Sequence, residues 1–136
     1  MDKIDRLQEA QMYINSIKKA KEVPITLGNV KDITIRWLLP PEVGTPNFEM
    51  RYFEIKKGGY CREETHPWEH EVLVVKGKGI VRGKDEEKVV EVGDAIFIAP
   101  NELHQFRSTE EEDFGFICVI PNGAENEVLK EFKPNN

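Results

Sequence analysis

Cysteine is scarce in this 136-residue chain: Cys61 and Cys118 are the only two, too few for a disulfide framework or a cysteine-rich zinc site. Long apolar runs are missing as well, and no stretch approaches the roughly 18 residues that a membrane-spanning helix needs. Basic charge is in the minority, with 19 Lys and Arg against 25 Asp and Glu and a net charge of −6. The closest approach to a basic run is Lys18-Lys19-Ala20-Lys21, so no footprint for a nucleic-acid backbone is visible. No apolar leader follows Met1-Asp2-Lys3-Ile4-Asp5-Arg6, which makes a cytoplasmic location the expectation. Glutamine occurs three times while Lys and Glu are abundant, a composition that points to a thermophilic source.

What remains is 39% apolar and 32% charged, the make-up of one soluble globular domain able to bury its own core. Ile4, Leu7, Ala10, Ile14 and Ile17 recur at spacings of three and four, which predicts an amphipathic α-helix over residues 1–22. Its stripe suits docking on the domain itself or on a second copy. After Pro24 the pattern turns β-like. Ile33–Leu39, Phe48–Ile55, Val72–Val75, Ile80–Arg82, Val89–Val92, Ala95–Ile98 and Phe114–Ile120 read as short strands. Turn signals at Lys57-Gly58-Gly59, Gly77-Lys78-Gly79, Gly83-Lys84-Asp85-Glu86 and Gly93-Asp94 separate them. Strands at about ten-residue spacing predict an all-β sandwich or barrel over residues 23–123. Residues 124–136 form a tail or short helix.

Histidine is also rare, yet all three fall in two short segments. His66 and His70 lie in Glu64-Thr65-His66-Pro67-Trp68-Glu69-His70-Glu71, and His104 in Pro100-Asn101-Glu102-Leu103-His104-Gln105-Phe106. The i, i+4 pair does not fit a helical zinc-protease motif, because Pro67 stands where that motif needs Glu. A Cys61–His nucleophile would need an ordering third group that the sequence does not supply. A metal site uses every histidine at once, and Glu64, two residues before His66 at strand spacing, adds a carboxylate on the same face.

These residues resemble the motifs of the cupin superfamily, and in particular its small, single-domain, metal-binding type-2 members. In the first motif Gly59 opens, Glu64-x-His66 takes the place of His-x-His, His70 takes the place of the usual Glu, and Gly77 closes. In the second, Gly93-Asp94 and Pro100-Asn101 precede His104, with Ser108 where Asn is usual. The resemblance covers residues 45–121. Pro67-Trp68-Glu69-His70-Glu71 is similar to the segment of small bacterial and archaeal cupins that bind metal through four histidines.

The resemblance implies a double-stranded β-helix, the jelly-roll barrel, and one divalent transition metal (Fe, Mn, Ni, Cu or Zn) on Glu64, His66, His70 and His104. The glutamate and one histidine have traded corners relative to the family pattern. Were Glu64 to turn to solvent, three histidines would remain, and Glu63 could replace it. Cys61, Trp37 and Phe106 are placed to line a pocket. Glu63, Glu69 and Glu102 are the nearby carboxylates that could act as a base, and no residue is assigned a catalytic role. Two functions fit: oxygenase, isomerase or lyase chemistry on a small organic molecule, or metal-dependent small-molecule binding or sensing without turnover. A homodimer is the expected assembly, with no nucleic-acid or membrane partner.

Overall fold

The computed structural model describes residues 12–124. Its nine strands are β1 (Val23–Pro24), β2 (Lys31–Leu39), β3 (Phe48–Tyr60), β4 (His70–Lys76), β5 (Lys78–Arg82), β6 (Glu87–Glu91), β7 (Ala95–Ile98), β8 (Gln105–Ser108) and β9 (Phe114–Pro121). They follow the order β6-β5-β8-β3-β9-β4-β7, with β2 on the free side of β3 and β1 on β2. Every pairing is antiparallel. The result is the all-β curled sheet of a jelly roll. No helix among the described residues is long and apolar enough to cross a membrane.

One long strand closes the roll. Residues 50–55 of β3 pair with both β2 and β9, while its far end pairs with β8 through Tyr60 and Arg107. Lys57-Gly58-Gly59, which the sequence marks as a turn, is instead a bend inside this strand. Gly58 has φ +79°, and a Cβ on Gly59 would lie 2.5 Å from the Lys31 carbonyl oxygen. Both positions therefore need glycine. Ser108, which stands where the family usually has Asn, pins the bend. Its hydroxyl accepts from the Gly59 amide at 3.0 Å and donates to the Lys56 carbonyl at 2.6 Å.

The helix expected over residues 1–22 lies partly outside the described residues, and over residues 12–22 it is not formed. One turn survives there, closed by the Ala20 amide on the Ser16 carbonyl at 2.9 Å. Tertiary bonds explain the change. Arg36 donates to the Ile17 carbonyl at 2.7 Å, taking an acceptor that a continuing helix would use, and the Asn15 amide reaches the Leu38 carbonyl at 3.3 Å. The apolar residues still dock, with Ile17 and Ala20 packed on Leu38 and Tyr52 on the outer face of the sheet. The tail expected over 124–136 falls outside the described residues after Ala124.

The main core lies inside the roll, where Ile33, Ile55, Val72, Val74, Ile98, Phe114, Phe116 and Ile120 are buried. Outside it, Glu54 is held by Tyr52 at 2.9 Å and by Lys56 and Lys76 at 3.0 Å each. Burial works to raise the Glu54 carboxyl, but these donors outweigh it and bring the group down to about 2. A carboxylate depressed in the fold contributes stability above its ordinary pKa and loses it as pH falls through the folded value. Wild type should therefore lose on the order of 1–2 kcal/mol between about pH 4.5 and pH 2, discounted for two half-exposed lysines. Denaturant titrations at stepped pH should show Glu54→Gln losing that slope; an unchanged slope would remove Glu54 from the account.

Candidate metal centre

Backbone pairing brings the two histidine segments together. Glu64 and His104 form an isolated antiparallel bridge, the Glu64 amide donating to the His104 carbonyl at 3.0 Å and the reverse bond measuring 3.1 Å. Directly opposed residues in such a pair project to the same face, so this bridge alone sets Glu64 beside His104. His70 opens β4, with its side chain on the buried face shared by Val72 and Val74. His66 is positioned by the loop between them: its ring stacks on Trp68 at 4.2 Å and 5°, and its own carbonyl accepts from the Asn101 amide at 2.7 Å.

All four side chains singled out by the sequence converge, with one donor atom from each lying within 4.8 Å of the others. The three histidines are buried, with exposures of 2–7%. Each ring commits Nδ1 elsewhere: His66 to the Trp68 carbonyl at 2.8 Å, His104 to the Glu102 carbonyl at 2.8 Å and His70 to Cys118 Sγ at 2.9 Å. A carbonyl can only accept, so His66 and His104 carry their proton on Nδ1 and turn an Nε2 lone pair inward. His66 Nε2 and His70 Nε2 stand 2.8 Å apart. Ligand bonds of about 2.0–2.2 Å to a common ion put neighbouring donors roughly 3 Å apart, so converging lone pairs at this spacing suit a cation between them.

Protonation is disfavoured at two of the rings, His70 and His66. Burial pushes His70 down to about 2, with Arg51 and the other two rings acting in the same direction. Burial also lowers His66, against the opposing pull of Glu64. Neutral imidazole is the form that binds metal.

Glu64 is the softer corner. Oε1 faces His66 Nε2 at 3.6 Å and His104 Nε2 at 3.8 Å, while Oε2 pairs with Arg62 Nε at 2.8 Å. It does not turn away to solvent, and Glu63 does not replace it: Glu63 pairs with Arg82 at 3.2 Å. Glu102 is taken up by the Ala99 amide at 2.9 Å, and Glu69 is exposed. None of these three carboxylates joins the cluster as a base. Cys61 is no nucleophile either, since burial pushes its thiol up to about 12 and Sγ accepts from the Phe106 amide at 3.1 Å.

A cavity of about 300 Å³ opens over Glu64, His70 and His104. Trp37, Cys61 and Phe106 line it, as the sequence placed them, together with Ile33, Phe53 and Phe116. Two further residues of its wall were missed. Arg51 is 3% exposed in β3, and Cys118 Sγ accepts a hydrogen bond from Arg51 (3.2 Å) and shares one with His70 Nδ1 (2.9 Å). A signal existed for the first: Arg51 and Phe53 are two apart in an alternating strand, so a cation shares the face of a core aromatic. Nothing in the sequence ties Cys118 to His70, which is 48 positions away.

Comparison with known proteins supports the fold. A family model for the cupin domain matches residues 51–120. A curated relative, the 1-methylthio-D-xylulose 5-phosphate methylsulfurylase of Rhodospirillum rubrum, is 35% identical over 72 residues, covering 53% of this chain and 46% of that protein. The matched stretch thus spans just under half of that relative's length. Among solved structures, the polyketide cyclase RemF from Streptomyces resistomycificus is similar at 27% identity with a TM-score of 0.78, over 82% of this chain and 80% of that one. A cupin 2 domain-containing protein from Halorhodospira halophila is similar at 34% identity with a TM-score of 0.61, over 64% and 62%.

Proposed function

Since the chain belongs to the cupin-domain family, we propose that it is a metal-dependent enzyme acting on a small organic molecule bound in the cavity above Glu64, His66, His70 and His104. The observation that carries this reading is the convergence of inward Nε2 lone pairs with one carboxylate at the floor of a largely apolar cavity. A divalent transition ion there would supply a Lewis acid for a substrate oxygen, with Fe, Mn, Ni, Cu and Zn the candidates. The protein's own residues do the remaining work. Trp37, Phe53, Phe106 and Phe116 exclude water from the bound molecule. Glu64 holds the negative charge of the site, and Oε1 is the carboxylate oxygen nearest the histidines, placed to take up a proton from a bound substrate.

Isomerase- or lyase-type chemistry is favoured over oxygenase chemistry, because the named relatives are a methylsulfurylase and a cyclase. The 5-phosphate ketose in the first name suggests a class to try. The test is proton NMR in D2O with xylulose 5-phosphate and with acetylacetone, using protein carrying one measured equivalent of each metal, alongside O2 uptake. Metal-dependent exchange of the carbon-bound hydrogen, abolished by a chelator and reduced at least tenfold in Glu64→Gln, is the expected result. Substrate-dependent O2 consumption without exchange would move the reading to an oxygenase. Tight ligand binding with neither activity would leave the binding or sensing module.

A further inference from the structure

The three rings of the cluster are not held alike. His66 and His104 each face a carbonyl at Nδ1, which can only accept, so both are fixed with the proton on Nδ1. His70 faces Cys118 Sγ at 2.9 Å, and a thiol both donates and accepts. Cys118 is 2% exposed in β9, directly opposite Arg51 of β3 and Val72 of β4. That register sets its sulfur between the His70 ring and the Arg51 guanidinium, which donates to it at 3.2 Å.

The other edge of His70 decides what the thiol does. His70 Nε2 stands 2.8 Å from His66 Nε2, a separation that needs a proton or a cation between the two nitrogens. His66 carries no proton on Nε2, so a hydrogen bond there must come from His70 Nε2–H. His70 Nδ1 is then a bare lone pair, and the Cys118 S–H donates to it. The chain closes without a conflict: Arg51 donates to the sulfur, the thiol to His70, His70 to His66, and His66 to the Trp68 carbonyl. When Nε2 is a metal ligand, the His70 proton must instead lie on Nδ1, where it donates to the sulfur while the S–H turns aside. His70 and Cys118 each keep one proton in both arrangements, and only the nitrogen that bears the ring proton changes. A carbonyl in place of the thiol would serve the second arrangement and not the first.

We infer that Cys118 is a reversible positioning partner of His70, donating to Nδ1 in the metal-free protein and accepting from Nδ1 in the metal-loaded one. His66 and His104, backed by carbonyls, keep one tautomer throughout. The inference rests on the metal centre proposed above. It is tested by long-range proton–nitrogen NMR of histidine rings in labelled protein, at a pH where the rings are neutral, without metal and with one measured equivalent of zinc. Wild type should show His70 protonated on Nε2 without metal and on Nδ1 with zinc, while His66 and His104 show Nδ1–H in both spectra. Cys118→Ser, which keeps a donor and an acceptor, should reproduce both spectra and bind zinc within about threefold of wild type. Cys118→Ala should lose about tenfold in zinc affinity, with its metal-free melt as the control for folding.

His70 protonated on Nδ1 in metal-free wild type would overturn the inference, because nothing would then switch. So would a folded Cys118→Ala that binds zinc as tightly as wild type. Should that variant fail to fold, the two wild-type spectra decide alone. Wild type that takes up no zinc would overturn the metal centre, and the metal-free spectrum would still decide which way the thiol points.

Discussion

Replacing His104 with alanine should lower metal affinity by at least about a hundredfold and abolish stoichiometric metal after desalting. His104 is the sole histidine of the second segment. Its ring is 2% exposed, set by the Glu102 carbonyl at Nδ1 and packed edge-on to His66 and His70. Little reorganisation is needed before it binds, so its loss removes a pre-oriented ligand, and the sequence has no fourth histidine to replace it. The two thiols of the cavity wall are both engaged, Cys61 Sγ by the Phe106 amide and Cys118 Sγ by His70 and Arg51. The main-chain bridge between residues 64 and 104 does not depend on the ring, so the variant should fold. Metal content by mass spectrometry, with a melt of the metal-free protein as control, checks this. One tight equivalent retained by a folded His104→Ala would sink the four-residue centre.

The histidine corners were legible because metal ligands must be particular residue types, and three of three lay in two short segments flanked by turn signals. Glu64 was legible for a related reason: period-two spacing put it on the face of His66, and its bridge to His104 confirms the placement beside the cluster. The strands were readable wherever β-branched runs ended at glycine. Gly58-Gly59 misled because a glycine pair signals a turn locally, whereas here it bends a continuous strand between two partners. The helix misled for the opposite reason. Its periodicity is real, yet Arg36 and Asn15 supply competing hydrogen bonds from and to β2, and sequence spacing carries no trace of a partner about twenty residues away. The layer behind the cluster was hidden in the same way. Cys118 looks like any core residue of a buried strand, and its bond to His70 exists only once β9 lies beside β4.

Phe114→Ala should destabilise the protein by about 3–5 kcal/mol, a large share of the total stability of a domain this size. The ring is fully buried, and it rests directly on β5, where a Cβ on Gly79 would come within 2.3 Å of it. Gly79 in turn is paired to Val90 on one side and Ser108 on the other. The strand cannot slide inward to fill the void, so the cost should include the cavity as well as the lost burial. The ring also begins a chain of aromatic contacts: Phe114 to Phe116 at 5.1 Å, Phe116 to Phe106 at 4.7 Å, and Phe106 edge-on to His104 at 6.1 Å. That chain ties the core to the metal centre, but it reaches His104 only through a ring edge, while the histidine's orientation comes from the Glu102 carbonyl. Denaturant unfolding of metal-free protein should therefore show nearly the whole effect, and metal affinity of the folded variant should change less than tenfold. A loss under about 1 kcal/mol would mean that the strands around Gly79 collapse after all. A metal affinity falling as far as in His104→Ala would mean that the aromatic chain, and not the local carbonyl, sets the geometry of the site.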